Sequence, residues 1–416
     1  MAHLWVRDVA LIDGLGGPAL EHAHVLVDGE RIESVTTRPP ERVAEGVRVI
    51  DGAGLWALPG FIDAHVHLMA EGPDILGQMQ LPAGYLYLRV PGRMRRTLDA
   101  GVTTVRDLGG LDGGVRRAVA EGLVAGPRLQ TAVAVLSVTG GHGDFRPPPT
   151  APAQTSMGLA VGLVGDGPEG VLRAVRTVIQ AGADVIKVAA TGGVLSPADD
   201  PRHSQFSPEE LWAIAAEARR QGRRLAAHAQ GAEGIKNAVR AGFTSIEHGI
   251  YLDDEAIDLM LAHGTVLVPT LVAPMAVLDA AAAGLPVPPW AVEKAKGVIE
   301  VHRESVRRAH AAGVRIALGT DSGVGAHGQN LRELALMAEC GLTAMEAIVA
   351  GTRTAAELLG LEGELGTLEP GKRADVVLAR VDPLRRLRDL GDPHSIAAVL
   401  QGGRVVKDRL TAGAAG

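Results

Sequence analysis

Gly60-Phe61-Ile62-Asp63-Ala64-His65-Val66-His67-Leu68 sets two imidazoles two residues apart at the end of an apolar run. In an extended strand, residues i and i+2 share a face, so His65 and His67 can reach one metal ion together. Pro59-Gly60 just ahead breaks the incoming segment and lets the backbone enter a new layer. Alone, a His-x-His pair can simply close a strand. The residues that give it weight stand at the ends of other apolar runs further along.

From about residue 55 to 364, short apolar runs alternate with helical stretches, and eight such runs end near His67, Asp107, His142, Lys187, His228, His248, Thr270 and Asp321. Helical patterning falls between them over Glu169 to Ala181, Pro208 to Gln221 and Asp254 to His263. Ser207-Pro208-Glu209-Glu210 reads as a helix start, with Ser at the cap, Pro in the first position and acids in the first turn. Eight strand-helix units predict a (β/α)8 TIM barrel. The segments outside it are rich in short strands and turns: Val9 to Ile12, His24 to Val27, an Asp28-Gly29 hairpin, Arg31 to Val35, then Ala374 to Leu378, Ala397 to Leu400 and Arg404 to Val406. Each is too small to hold a core alone. The expected organisation is therefore a β-sandwich domain built from residues 1–58 and 365–416, flanking a barrel over 59–364. A long loop from Pro147 to about Gly167 is expected after strand three, placed to line a site.

Composition agrees with such a protein. The 416 residues are 46% hydrophobic and 21% charged, which supports a large buried core. The 54 glycines suit many tight strand-helix turns, and 3% aromatics imply a core of Ala, Val and Leu. A net charge of -7 without a basic cluster argues against nucleic-acid or anionic-membrane partners. The arginine-rich pieces Arg93 to Arg96, Arg219 to Arg224 and Arg303 to Arg308 read as solvated helix faces. Cys340 is the single cysteine, so an intrachain disulfide and a thiolate metal site are excluded. The N-terminus lacks a signal-peptide layout, no run is long enough to span a bilayer, and the expected location is cytoplasmic.

A barrel places its active site at the C-terminal ends of its strands. There the sequence puts His65 and His67, Lys187, His228, His248 and Asp321, from strands one, four, five, six and eight. A single strand-end His or Lys is ordinary, but six such residues converging on one mouth by chance are not. Four imidazoles and a carboxylate suit Zn²⁺ or another borderline divalent ion. Lys187 cannot ligate as an ammonium. Apolar neighbours lower its pKa, and the neutral amine can add CO₂ to become a carbamate able to bridge two cations. Two metals sharing one water lower its pKa and polarise a substrate carbonyl.

This set resembles the amidohydrolase superfamily. Asp28-Gly29-Glu30-Arg31-Ile32 and Gly366-Thr367-Leu368-Glu369-Pro370-Gly371-Lys372-Arg373-Ala374-Asp375 resemble its β-sandwich segments. Thr191-Gly192-Gly193-Val194-Leu195-Ser196-Pro197, Ala227-His228-Ala229 and Ile246-Glu247-His248-Gly249 are similar to the imidazolonepropionase-like, Xaa-Pro dipeptidase and carboxypeptidase branch. The resemblance implies that His65, His67 and Asp321 bind one metal, His228 and His248 a second, and carbamylated Lys187 bridges both. It also implies that Asp321 carries a proton from the bridging hydroxide to the leaving amine. Lys187 favours this branch over mononuclear deaminases and true imidazolonepropionases, which lack the bridging lysine.

Substrate contacts are expected around strands two to five. Gly140-Gly141-His142-Gly143-Asp144 lets a ligand approach the backbone, and His142 can hold a substrate carboxylate or the attacked carbonyl oxygen. Arg106 can clamp a carboxylate or pair with a strand-end acid. Arg202 and His203, after strand four, are candidate specificity residues or exposed side chains. Some relatives carry Tyr after the His-Ala of strand five to hold a carboxylate; here that position is Gln230. The expected activity is metal-dependent hydrolysis of an amide bond in a dipeptide or N-acyl amino acid with a free carboxylate, by a protein forming homo-oligomers. The alternatives are a deaminase, a hydrolase of a cyclic amide, carbamate, urea or lactone, or a non-catalytic binding protein on the same fold.

Overall fold

The computed structural model describes residues 3–40, 45–79, 81–146, 162–197 and 199–410. The chain divides into two compact units, one of Met1–Asp63, Arg95–Thr104 and Gly328–Gly416, the other of Ala64–Met94 and Val105–His327. The first unit takes in the helices Arg332–Glu339, Ala344–Ala350 and Arg353–Leu359, which the sequence pattern assigns to the barrel segment.

In the first unit the two chain ends build one eight-stranded sheet. Leu4–Leu11, Leu20–Asp28 and Arg31–Thr36 run antiparallel in succession, with the second turning into the third at Gly29, whose φ of 56° suits a residue without a Cβ. Val376–Ala379, Ile396–Gln401 and Arg404–Asp408 form a second antiparallel run, joined to the first through Trp56–Pro59. Leu4, Val25, Val27 and Ile32 from one end share a core with Val376, Leu378, Ala398 and Leu400 from the other, as in a β-sandwich. The strands Arg48–Asp51 and Trp56–Pro59 carry no strong alternation and are not evident in the sequence.

The second unit holds the (β/α)8 barrel mouth. The barrel strands are Phe61–Val66 and Val102–Asp107, whose first halves belong to the first unit, then a broken third strand (Arg128–Thr131 and Val135–Ser137), Val185–Ala189, Arg224–Ala229, Ser245–His248 and Val266–Val268. The eighth is an irregular segment, Ile316 to Ser322. It closes the ring through parallel bridges Leu267↔Ile316 and Val66↔Ser322 and the bond from Ala64 N–H to Leu318 O at 2.9 Å. The third strand ends at Ser137, so His142 sits in the loop beyond it rather than at the strand end. Strands buried along their whole length, such as Val102–Asp107 and Val185–Ala189, are those of a parallel sheet covered on both faces.

Helix Pro208–Arg220 starts as the sequence indicates, with a reciprocal capping box between Ser207 and Glu210. Arg93 departs from the solvated-face expectation. It is 1% exposed, and its guanidinium donates to Leu68 O at 2.9 Å behind the strand-one histidines. The loop expected from Pro147 falls largely outside the described residues. Its described end contains the strand Gly162–Val164 and the start of helix Gly167–Gln180. No helix among the described residues is long and apolar enough to cross a membrane.

Candidate metal centre and substrate cavity

The strand ends bring the six residues together by backbone geometry that alternation alone does not supply. His248, Thr270 and Asp321 close strands six, seven and eight with φ of 72°, 55° and 55°. A non-glycine residue in this left-handed region is uncommon and costs about 1–3 kcal/mol, a strain characteristic of functional sites. At His248 it re-aims the imidazole away from the alternation set by Ser245 and Glu247.

Each imidazole is held at one ring nitrogen by a partner from a neighbouring element. His65 Nδ1 donates to Glu247 at 2.9 Å, and His67 Nδ1 to Gly109 O at 3.0 Å. His228 Nε2 donates to Gly192 O at 3.0 Å, and His248 Nδ1 lies 2.7 Å from the Thr270 hydroxyl. Such outer partners fix tautomer and ring orientation in metal sites. The His65 and His67 Nε2 atoms lie 3.5 and 3.2 Å from Asp321 Oδ1. Ligand atoms of His65, His248 and Asp321 fall within 4.8 Å of one another, a group able to hold a metal ion. The His228 ring lies 4.7 Å from that of His248.

The electrostatics suit neutral imidazoles at His65, His228 and His248, whereas at His67 burial opposes the charged form but Asp321 outweighs it and raises the pKa. Burial, with the nearby Lys187 charge, brings the His65 imidazolium down to about 4. His228 and His248 are held well below the usual histidine range by burial and then by neighbouring cationic groups. Burial disfavours ionised Asp321, but His65 and His67 outweigh it and lower its pKa. Lys187 is 2% exposed, burial pushes its amine down to about 8, and among the described residues its Nζ has no hydrogen-bond partner. An orphaned amine amid four imidazoles and a carboxylate fits divalent ions with an anionic bridge, and leaves a lone ammonium unexplained.

The other sequence candidates separate. His142 and Gln230 line the cavity over the cluster. The His142 ring stacks on His228 with centroids 4.2 Å apart, and buried Gln230 Oε1 lacks a hydrogen-bond partner among the described residues. Arg106 does not line the cavity. It is 1% exposed inside the barrel, with guanidinium bonds of 2.6 Å to Ala64 O and 2.9 Å to Glu247, so it braces the acid that holds His65. Burial works against the ionised Glu247 carboxyl, but Arg106 and His65 bring it down to about 2. Arg202 is exposed and paired with Asp200 at 2.7 Å, and His203 is exposed; neither lines the cavity. Sequence reasoning missed Glu247 as His65's partner. The available signal was a pair of opposite charges, Arg106 and Glu247, each at the last position but one of a barrel strand.

The profile of the amidohydrolase family matches residues 56–406. The chain is 36% identical over 365 residues to ochratoxinase of Aspergillus niger, covering 84% of this chain and 75% of that one. A prolidase solved with N-methylphosphonate-L-proline superposes with a TM-score of 0.92 at 38% identity, covering 97% of this chain and 99% of that one. A Xaa-Pro dipeptidase with methionine in its active site superposes with a TM-score of 0.87 at 33% identity, covering 97% and 99%.

Proposed function

The chain belongs to the amidohydrolase family, and on that footing we propose that it hydrolyses an amide bond in a dipeptide or N-acyl amino acid carrying a free carboxylate. The observation that carries this reading is the buried Lys187 Nζ, without a hydrogen-bond partner among the described residues, in a cavity lined by four histidines and Asp321. The prolidase and dipeptidase relatives, which carry a proline phosphonate and methionine in their structures, support the substrate class.

His65, His67 and Asp321 would hold one divalent ion and His228 and His248 another, with Zn²⁺ favoured by imidazole and carboxylate donors. Lys187, as the neutral amine, would add CO₂ and release a proton to become the bridging carbamate. When bound, the ions supply Lewis acidity, lowering the pKa of a shared water and polarising the scissile carbonyl. Asp321 would take the proton from the attacking water and return it to the leaving nitrogen, a role suited to a carboxylate kept ionised between two histidines. Arg106 and Glu247 would keep the His65 proton on Nδ1, so that Nε2 carries the lone pair.

No arginine is found among the described residues lining the cavity, which leaves His142 and Gln230 as the groups suited to a substrate carboxylate. Met69, Leu86, Val135, Phe145, Ile250 and Val277 line it with apolar surface, which favours an uncharged apolar substituent on the other side of the scissile bond. Amidating the carboxylate of a good substrate removes a charge-assisted contact worth about 1.5–3 kcal/mol, so kcat/KM should fall roughly tenfold to a hundredfold. Equal turnover of free acid and amide would contradict the carboxylate requirement. It would favour a neutral carbamate, urea or lactone, to which the neutral Gln230 amide is also suited.

A further inference from the structure

His142 is held by a hydrogen-bonded relay that begins on a different element. Its Nδ1 lies 2.7 Å from the Ser196 hydroxyl and 3.6 Å from Asp199 Oδ2, and that hydroxyl in turn donates to the Asp199 carboxylate. With the Ser196 hydrogen on Asp199, the Ser196 oxygen accepts from Nδ1, so this relay fixes a hydrogen on Nδ1. The same residue is tied from its backbone: His142 N–H donates to Gln205 Oε1 at 2.9 Å, and Gln205 Nε2 donates to Asp199 at 3.3 Å. A Cβ on Gly193 would come within 2.2 Å of His142 Cε1, so the ring rests directly on the Gly193 backbone.

Three backbone carbonyls under this relay converge on one ammonium. Lys294, on the helix Pro289–Ala312, donates to Gly193 O at 3.0 Å, Ser196 O at 2.7 Å and Asp199 O at 2.6 Å. Three carbonyls use all three donors of a lysine ammonium. Its charge also lies 3.6 Å from Asp199 Oδ1. A loop gripped at three points by a rigid helix is pre-organised, and a shift of about 1 Å in a substrate-positioning group can cost about a hundredfold in rate.

We infer that Lys294 is a positioning residue: by pinning the Gly193, Ser196 and Asp199 carbonyls it sets the orientation and Nδ1 hydrogen of His142, and so the grip on the substrate. The inference rests on the proposal that His142 meets substrate.

The test is a double-mutant cycle on the metal-loaded protein, with kcat and KM measured on a free-acid substrate alongside metal content and melting temperature. Lys294→Met should lower kcat/KM about tenfold in the native background, with metal content unchanged, and less than twofold in a His142→Ala background. Ser196→Ala, which leaves the loop backbone in place, should behave the same way and serves if Lys294→Met does not fold. Equal losses in both backgrounds would reduce Lys294 to a structural residue and overturn the inference, as would native kcat/KM in Lys294→Met. Native kcat/KM in His142→Ala, with the amide-bond hydrolysis itself intact, would remove the substrate role of His142 and the inference with it, leaving the hydrolase reading standing.

Discussion

Among single residues, Lys187 is the one least compatible with a purely structural role. A lysine amine buried without a partner is costly, and the nearby Glu247 and Asp321 charges only partly offset the effect of burial on it. A bridging carbamate would remove the orphan by turning it into an anion between two cations. Lys187→Ala should therefore lose most bound metal and turnover, with partial recovery on adding short carboxylates; full metal content with native rate in that variant would exclude the bridge. At this scale the convergence of six side chains on one cavity was legible from the sequence. His65, His67, Lys187, His228, His248 and Asp321 each terminate an apolar run, and the barrel geometry says where such ends meet. Arg106 was not legible in the same way. A strand-end arginine reads equally as a clamp or as a partner of an acid, and only the placement of Glu247 at 2.9 Å decides it.

Between elements, the site depends on how closely the eighth strand lies against its neighbours. A Cβ on Gly319 would come within 2.3 Å of Val268 Cγ1 and 2.9 Å of His65 Cβ. Gly319→Ala must therefore push this segment away from strands one and seven, moving Asp321 relative to His65. Overpacking of this kind costs about 1–3 kcal/mol. The variant should show that loss in denaturant melts together with weakened metal retention; native stability and native metal content would mean the strands are not held by this contact. The periodic elements followed from local signals, as helix Pro208–Arg220 did from its Ser207 cap, Pro208 and first-turn acids. What escaped depended on tertiary context. The third strand breaks at Val133, in the left-handed region at a φ of 67°, and helix Ala83–Asp99 continues through Pro91. Neither a β-branched residue at positive φ nor a proline inside a helix is what local propensity favours.

For the whole molecule, the architecture was legible because strand-helix alternation and terminal β-texture are long-range patterns. The division into compact units was less so: Arg95–Thr104 and the three helices after Gly328 pack with the terminal sheet, although their sequence continues the barrel rhythm. The family match over residues 56–406 agrees with the fold, and hydrolase chemistry then turns on what the barrel mouth binds. The most direct test is to titrate metal-free protein with Zn²⁺ in bicarbonate buffer, following amine release from a free-acid dipeptide or N-acyl amino acid panel and bound metal per chain together. The account predicts negligible release without metal and a rate that rises until two ions are bound per chain. Full rate without metal, or no release from any amide in the panel with both ions bound, would contradict it.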